Sequence, residues 1–169
     1  GTGTFAPKVD YTTGSNSISV AIGDLNGDGK PDMVVTNWGS NTISVFINNG
    51  NGTFAPKVDY PVGLNPRSVA IGDLNGDGKP DLVVANLGSN TVSVLLNNGN
   101  GTFAPKTDYS TGSTPRSVAI GDFNGDGHPD MVVVNGGSNT ASVFLNNGTG
   151  LFTNRVDYAT GVSPSIVAT

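Results

Sequence analysis

Short blocks of apolar and polar positions alternate along this chain and then return almost unchanged. Residues 17–23 set Val20 and Ile22 against the small Ser19 and Ala21, the period-two pattern of a β-strand in a crowded place near an axis. Residues 32–36 are a short apolar run without alternation, as expected of a strand covered on both faces. Residues 37–41 read as a turn. Residues 42–48 place Ile43, Val45 and Ile47 on one side and Phe46 on the other. The run Asn48-Asn49-Gly50-Asn51-Gly52 is a strong turn signal. A last strand is predicted over 53–60, and Pro56 within it argues for an outer edge. We call these predicted strands A to D. The segment from Pro61 to Pro66 carries the chain to the next strand A, and no helical period appears anywhere.

The unit repeats every 49 residues: Asp24, Asp73 and Asp122 keep that spacing, as do Tyr11, Tyr60, Tyr109 and Tyr158. Phe5, Phe54, Phe103 and Phe152 keep it too. Near-identical four-stranded antiparallel units of this length predict an all-β fold of β-propeller blades. The expected boundaries are an outer strand of a preceding blade at 1–11, then blades at 12–60, 61–109 and 110–158. An inner strand of a next blade is expected at 159–169. Propellers close with about four to eight blades. Three blades therefore form an open or partial ring unless a longer chain or oligomerisation closes it.

Between predicted strands A and B lies Asp24-Leu25-Asn26-Gly27-Asp28-Gly29-Lys30-Pro31-Asp32, which returns at 73–81 and 122–130. Each copy offers side-chain oxygens at positions 1, 3, 5 and 9 and a backbone carbonyl at position 7. A hard cation that takes six to eight oxygens at about 2.3–2.6 Å, calcium above all, wants such a set. The expected ligands are Asp24, Asn26, Asp28, Lys30 and Asp32; Asp73, Asn75, Asp77, Lys79 and Asp81; and Asp122, Asn124, Asp126, His128 and Asp130. Lys30, Lys79 and His128 serve through their carbonyls. The loop copies the start of an EF-hand but lacks its bidentate Glu at position 12, where Val35, Val84 and Val133 stand. A metal-free turn is the plainer reading of Asn, Asp and Gly, but a turn does not need four oxygens in fixed phase three times over. Asn51-Gly52-Thr53, Asn100-Gly101-Thr102 and Asn147-Gly148-Thr149 match the glycosylation sequon and read equally as hairpin turns, the reading we favour.

The net charge of −5 follows from these loops, because nine of the thirteen acids sit in them and all thirteen are Asp. Three bound divalent ions would carry the total to about +1. The other four acids, Asp10, Asp59, Asp108 and Asp157, hold one fixed place per repeat. Lys and Arg are too sparse for a nucleic-acid footprint. The absence of Cys excludes disulfides and thiol chemistry, and no apolar stretch is long enough for a membrane span. Reliance on calcium suits an extracellular or cell-surface setting.

The unit resembles the FG-GAP/VCBS repeat of integrin α-subunit propellers, propeller lectins and many bacterial surface proteins. The resemblance rests on Ser68-Val69-Ala70-Ile71-Gly72-Asp73-Leu74-Asn75-Gly76-Asp77-Gly78-Lys79-Pro80-Asp81-Leu82-Val83-Val84, on Val92-Ser93-Val94-Leu95-Leu96-Asn97-Asn98-Gly99 and on Gly101-Thr102-Phe103. It covers essentially the whole chain. Phe54-Ala55-Pro56 departs from the FG-GAP run and is closer to the VCBS variant. The resemblance implies that the calcium loop joins strands A and B in a structural role.

The repeats differ from one another mainly at the B–C turn, where Trp38, Leu87 and Gly136 stand, and along the D–A connection. In an antiparallel blade these two share the face opposite the calcium loops. Drift in exposed turns is the plainer account of that variation. Trp38, Arg67 and Arg116 are the candidates for contact with a protein or glycan ligand. No nucleophile–base pair and no phosphate-binding Gly loop is present, so a non-enzymatic module is expected. The reading is a calcium-stabilised scaffold, with a propeller lectin or a self-assembling repeat protein as alternatives. Partners are a homo-oligomer or the rest of a longer propeller chain, with no nucleic acid.

Overall fold

The computed structural model describes residues 7–168. Twelve strands form three separate four-stranded antiparallel sheets in strict sequence order. The first holds β1 (Ser17–Gly23), β2 (Asp32–Asn37), β3 (Thr42–Phe46) and β4 (Val58–Pro61). The second holds β5 (Pro66–Gly72), β6 (Asp81–Asn86), β7 (Thr91–Leu95) and β8 (Thr107–Ser110). The third holds β9 (Pro115–Gly121), β10 (Asp130–Asn135), β11 (Thr140–Asn146) and β12 (Phe152–Ala159). No sheet closes on itself, and successive sheets stack through their inner strands, β5 against β1 and β9 against β5. This is an open, partial propeller.

The missing alternation in predicted strand B has a direct cause. Leu82 and Val84 of β6 face the first sheet and join Leu25, Val34, Ile43, Val45, Leu95 and Phe103 in one core. Val83 and Ala85, one residue out of phase, face the third sheet and pack with Leu74, Val92, Val94, Met131 and Phe144. Successive side chains of a strand point to opposite faces, so a blade between two neighbours must be apolar at every position. The Tyr and the Phe that each recur every 49 residues lock blade to blade. Tyr60 meets Phe103 edge to face at 5.5 Å between centroids, and Tyr109 meets Phe152 at 5.6 Å. The Phe54 amide also donates to the Tyr11 hydroxyl at 3.2 Å.

Predicted strand D differs from the structure. In place of a strand over 53–60, Phe54 makes a single bridge to Asn48, and pairing resumes only at β4. Pro56 has no amide hydrogen to give the ladder. In the third sheet Asn154 takes the place of that proline, and β12 runs unbroken for eight residues. The expected outer strand at 1–11 lies outside the described residues over 1–6, and 7–11 pairs with no strand. The expected inner strand at 159–169 is likewise not formed over 160–168, and Thr169 lies outside the described residues.

Candidate metal centre and the opposite face

Each loop between an inner strand and its neighbour folds round its first aspartate. In the first loop Asp24 Oδ1 accepts the amides of Gly27 at 2.8 Å and Asp28 at 3.1 Å, and its Oδ2 accepts Gly29 at 2.7 Å. Gly27 and Gly29 sit at φ +76° and +79°, where residues with a side chain are strained. Asn26 Oδ1 accepts the Asp28 amide, and Asp28 Oδ1 accepts the Lys30 amide. The second and third loops repeat this pattern at Asp73 and Asp122. The Gly127 amide first, with those of Gly125 and Asp126, holds the Asp122 carboxyl below its ordinary value against burial.

The ninth residue of the loop is different. Asp32, Asp81 and Asp130 are wholly buried. Asp32 Oδ2 accepts the Leu25 amide at 2.8 Å and its Oδ1 accepts the Asn48 amide at 2.7 Å, so one carboxylate ties the loop to the turn after β3. Asp81 and Asp130 do the same with Leu74 and Asn97, and with Phe123 and Asn146. Burial pushes the Asp81 carboxyl up. The amides of Asn97 and Leu74 oppose that push, and the charges of Asp77 and Asp73 add to it.

Among the described residues no three acidic or histidine side chains converge on one point. The donor chemistry is nevertheless that of a hard divalent cation, since every side-chain donor in the set is an oxygen. Each oxygen of Asp32 also keeps a second lone pair beyond its one amide bond. The position-seven side chains reach toward the following turn: Lys30, Lys79 and His128 lie over Gly50, Gly99 and Gly148, where a Cβ would meet them at 2.5–2.8 Å, and the ammonium groups of Lys30 and Lys79 also pair with Asp28 at 3.0 Å and Asp77 at 3.2 Å in their own loops. That places the ring of the only histidine on a turn and leaves its carbonyl to the loop.

Two polar features escaped the sequence reading. Asn97 is more than a turn residue: its Nδ2 donates to Pro80 O at 2.8 Å and to Leu25 O of the preceding blade at 2.9 Å. Asn146 repeats this with Pro129 and Leu74. The second feature is a polar chain across each blade. Asn37 Nδ2 donates to Ser44 Oγ at 2.8 Å, Ser44 Oγ donates to Asp59 Oδ1 at 2.6 Å, and Lys57 pairs with Asp59. It recurs as Asn86–Ser93–Asp108–Lys106 and Asn135–Ser142–Asp157–Arg155. The signal was the fixed place of Ser and Asp in every repeat. It accounts for Asp59, Asp108 and Asp157, three of the four acids that the loops do not use.

Hydrogen bonds also define the opposite face. Trp38 N donates to Asn16 O, and Leu87 N and Gly136 N do the same to Asn65 O and Thr114 O, joining each turn to its connection. Ile18, Arg67 and Arg116 sit in the register shift of the inner strand beside those turns, a bulge that re-aims a side chain. Arg116 lies over Gly136 and reaches Ser163 Oγ at 2.8 Å. Trp38 is half-buried, and its carbonyl accepts Asn65 Nδ2 at 3.4 Å. The three candidates therefore lie on one face but occupy different blades.

The FG-GAP-like repeat profile matches residues 1–35, 24–84, 73–133 and 122–169. This chain belongs to the FG-GAP-like repeat family. Solved structures of similar shape include an Agrocybe aegerita lectin that recognises non-reducing terminal N-acetylglucosamine, 27% identical, with a TM-score of 0.56 over 85% of this chain. The periplasmic gluconolactonase of Pseudomonas aeruginosa is 22% identical, with a TM-score of 0.66 over 90% of the chain. A protein of unknown function from Desulfotomaculum acetoxidans is 20% identical, with a TM-score of 0.67 over 86%. The FG-GAP-like chain spans only 38%, 42% and 43% of these three proteins. No curated protein matches its sequence.

Proposed function

We propose that this FG-GAP-like chain is a non-enzymatic, calcium-stabilised propeller module of an extracellular or cell-surface protein, serving as an interaction scaffold. The observation that carries the reading is the all-oxygen donor set, repeated three times at fixed spacing on one face. Asp24, Asn26, Asp28, the Lys30 carbonyl and Asp32 would hold the ion in the first loop, and their equivalents in the other two. A bound divalent ion offsets the mutual repulsion of three carboxylates in one short loop. The chain's own residues do the rest. Buried Asp32, Asp81 and Asp130 couple each loop to the next turn, so fixing the loop fixes the blade. Calcium titration calorimetry on the purified chain is expected to give three sites. Absence of heat and of retained metal would overturn the reading.

A second reading is carbohydrate binding, favoured by the likeness to the Agrocybe lectin and by Trp38 on the variable face. A large ring stacks on the apolar face of a sugar. Glycan-array binding that is lost in Trp38→Ala would select this reading, and a blank array would leave the scaffold.

A further inference from the structure

The two ends of the stacked sheets are unfinished copies of one interface. Between neighbouring blades Ile71 packs on Gly23, and Ile120 packs on Gly72. Ile47 reaches Gly101 and Leu96 reaches Gly150 in the same step. Asn97 donates to Leu25 O, and Asn146 to Leu74 O.

At the first blade the incoming half of that interface is uncovered among the described residues. Val20 is 56% exposed and Ile22 68%, whereas Val69, the equivalent of Val20, is 8% exposed. Asn48 Nδ2 donates to Pro31 O of its own blade and, among the described residues, to no neighbouring blade, and nothing lies within 4 Å of a Cβ on Gly52. At the third blade the receiving half is uncovered among the described residues. Phe123 is 45% exposed where Leu25 and Leu74 are at 1% and 0%, and Leu145 is 36% exposed.

We propose that the partner of these two surfaces is a second copy of this chain, docked head to tail so that two copies close a six-bladed ring. The first-blade face of one copy meets the third-blade face of the other. Ile22 then lands on Gly121, Leu145 on Gly52, and Asn48 donates to the Phe123 carbonyl, each as its 49-residue equivalent does inside the chain. A contact between unlike surfaces forms a ring when its rotation closes, and six blades fall within the range of closed propellers. One chain spans 38–43% of its solved relatives, so two copies together approach the span of one.

Two strandless segments hold these places in the single chain, and docking exchanges them. Tyr11 stands on Phe54 as Tyr60 stands on Phe103, and Tyr158 of the other copy takes that place. Residues 164–168 run beside β9 through two long bonds between Val167 and Ser117, at 3.3 and 3.4 Å. β1 of the other copy replaces them with a full strand already paired to its own β2. Val162 and Ile166 are almost wholly exposed, so the segment gives up little. The proposal rests on the blade packing and is independent of calcium.

The test is the solution mass of the full chain, by light scattering at 1–100 µM on the order of ordinary dimer affinities. The expected value is twice the 17.1 kDa of one chain. Val20→Asp/Ile22→Asp and Phe123→Ser/Leu145→Asp alter only surfaces already in contact with water. Each variant alone is expected to lose the closed pair while keeping its strand circular dichroism, and an equimolar mixture of the two to regain a pair through the one intact joint. A wild-type monomer across the range would overturn the docking, and a ladder of longer oligomers would overturn the six-bladed closure. Failure of the mixture to pair would overturn the head-to-tail arrangement.

Discussion

Thr114 shows what one position of a repeat can reveal. It sits at φ 52°, where the equivalent positions of the first two blades use Asn16 and Asn65. Asn tolerates the left-handed region; a β-branched residue there is strained. The Thr114 hydroxyl is also buried without a hydrogen-bond partner. Thr114→Asn restores the residue that the other blades use. It is expected to stabilise by about 1 kcal/mol, read as a rise in melting temperature of roughly 2–4 °C. A fall would show that the local packing, and not the backbone, governs the position. Ser17 carries a related lesson. Its hydroxyl and the Gly14 amide both donate to Asn37 Oδ1 at 3.1 Å, while in the blades where Pro66 and Pro115 take its place Asn86 Oδ1 and Asn135 Oδ1 are buried and unpartnered. The first blade thus satisfies an acceptor that the other two leave bare.

At the scale of the strand, the chain contains its own proline experiment. The outer strand is broken where Pro56 and Pro105 stand and whole where Asn154 stands. Asn154→Pro is expected to split β12. Hydrogen exchange at Arg155 should then rise to the rate of Lys106, and unchanged protection would place the cause of the break elsewhere. The polar chain across each blade makes a second prediction. Ser93→Ala removes a buried hydroxyl and leaves one of the two N–H bonds of the buried Asn86 amide unmade, the other going to Thr91. The cost should be about 1–3 kcal/mol, measurable by urea unfolding. The same chain sets a pH dependence. Burial raises the Asp59 and Asp157 carboxyls, but the bonds from Lys57 and Ser44, and from Arg155 and Ser142, outweigh it and hold both below the ordinary value. A depressed carboxyl contributes stability above its unfolded value, about 3.9, and loses it as the pH falls through the folded one. Acid unfolding of Ser44→Ala should therefore begin at a higher pH than in the parent chain.

At the scale of the molecule, the period alone made the architecture legible. Forty-nine-residue spacing and paired-face burial lead straight to stacked four-stranded sheets. Strand B could be read because a strand covered on both faces has no polar phase. Strand D could not, because one proline on an edge either bends a strand or breaks it, and only its neighbours decide which. The oxygen-bearing loop positions were legible as residue types. The task of Asp32 as a bridge to Asn48 was not, since it depends on a residue sixteen positions away. Asn97 was hidden for the same reason: its partner Leu25 lies 72 residues back in another blade.

The central proposal is that divalent ions in the three loops fix the strands within each blade. An ion that binds only the folded chain stabilises it by mass action, by about 2.7 kcal/mol at a hundred times its dissociation constant. The direct measurement is thermal melting of the full chain in calcium and in chelator, beside the Asp28→Ala/Asp77→Ala/Asp126→Ala variant. The account predicts a melting temperature that rises with calcium, falls in chelator, and does not respond in the variant. Identical melting of the parent chain in calcium and in chelator would contradict it and leave the loops as turns alone.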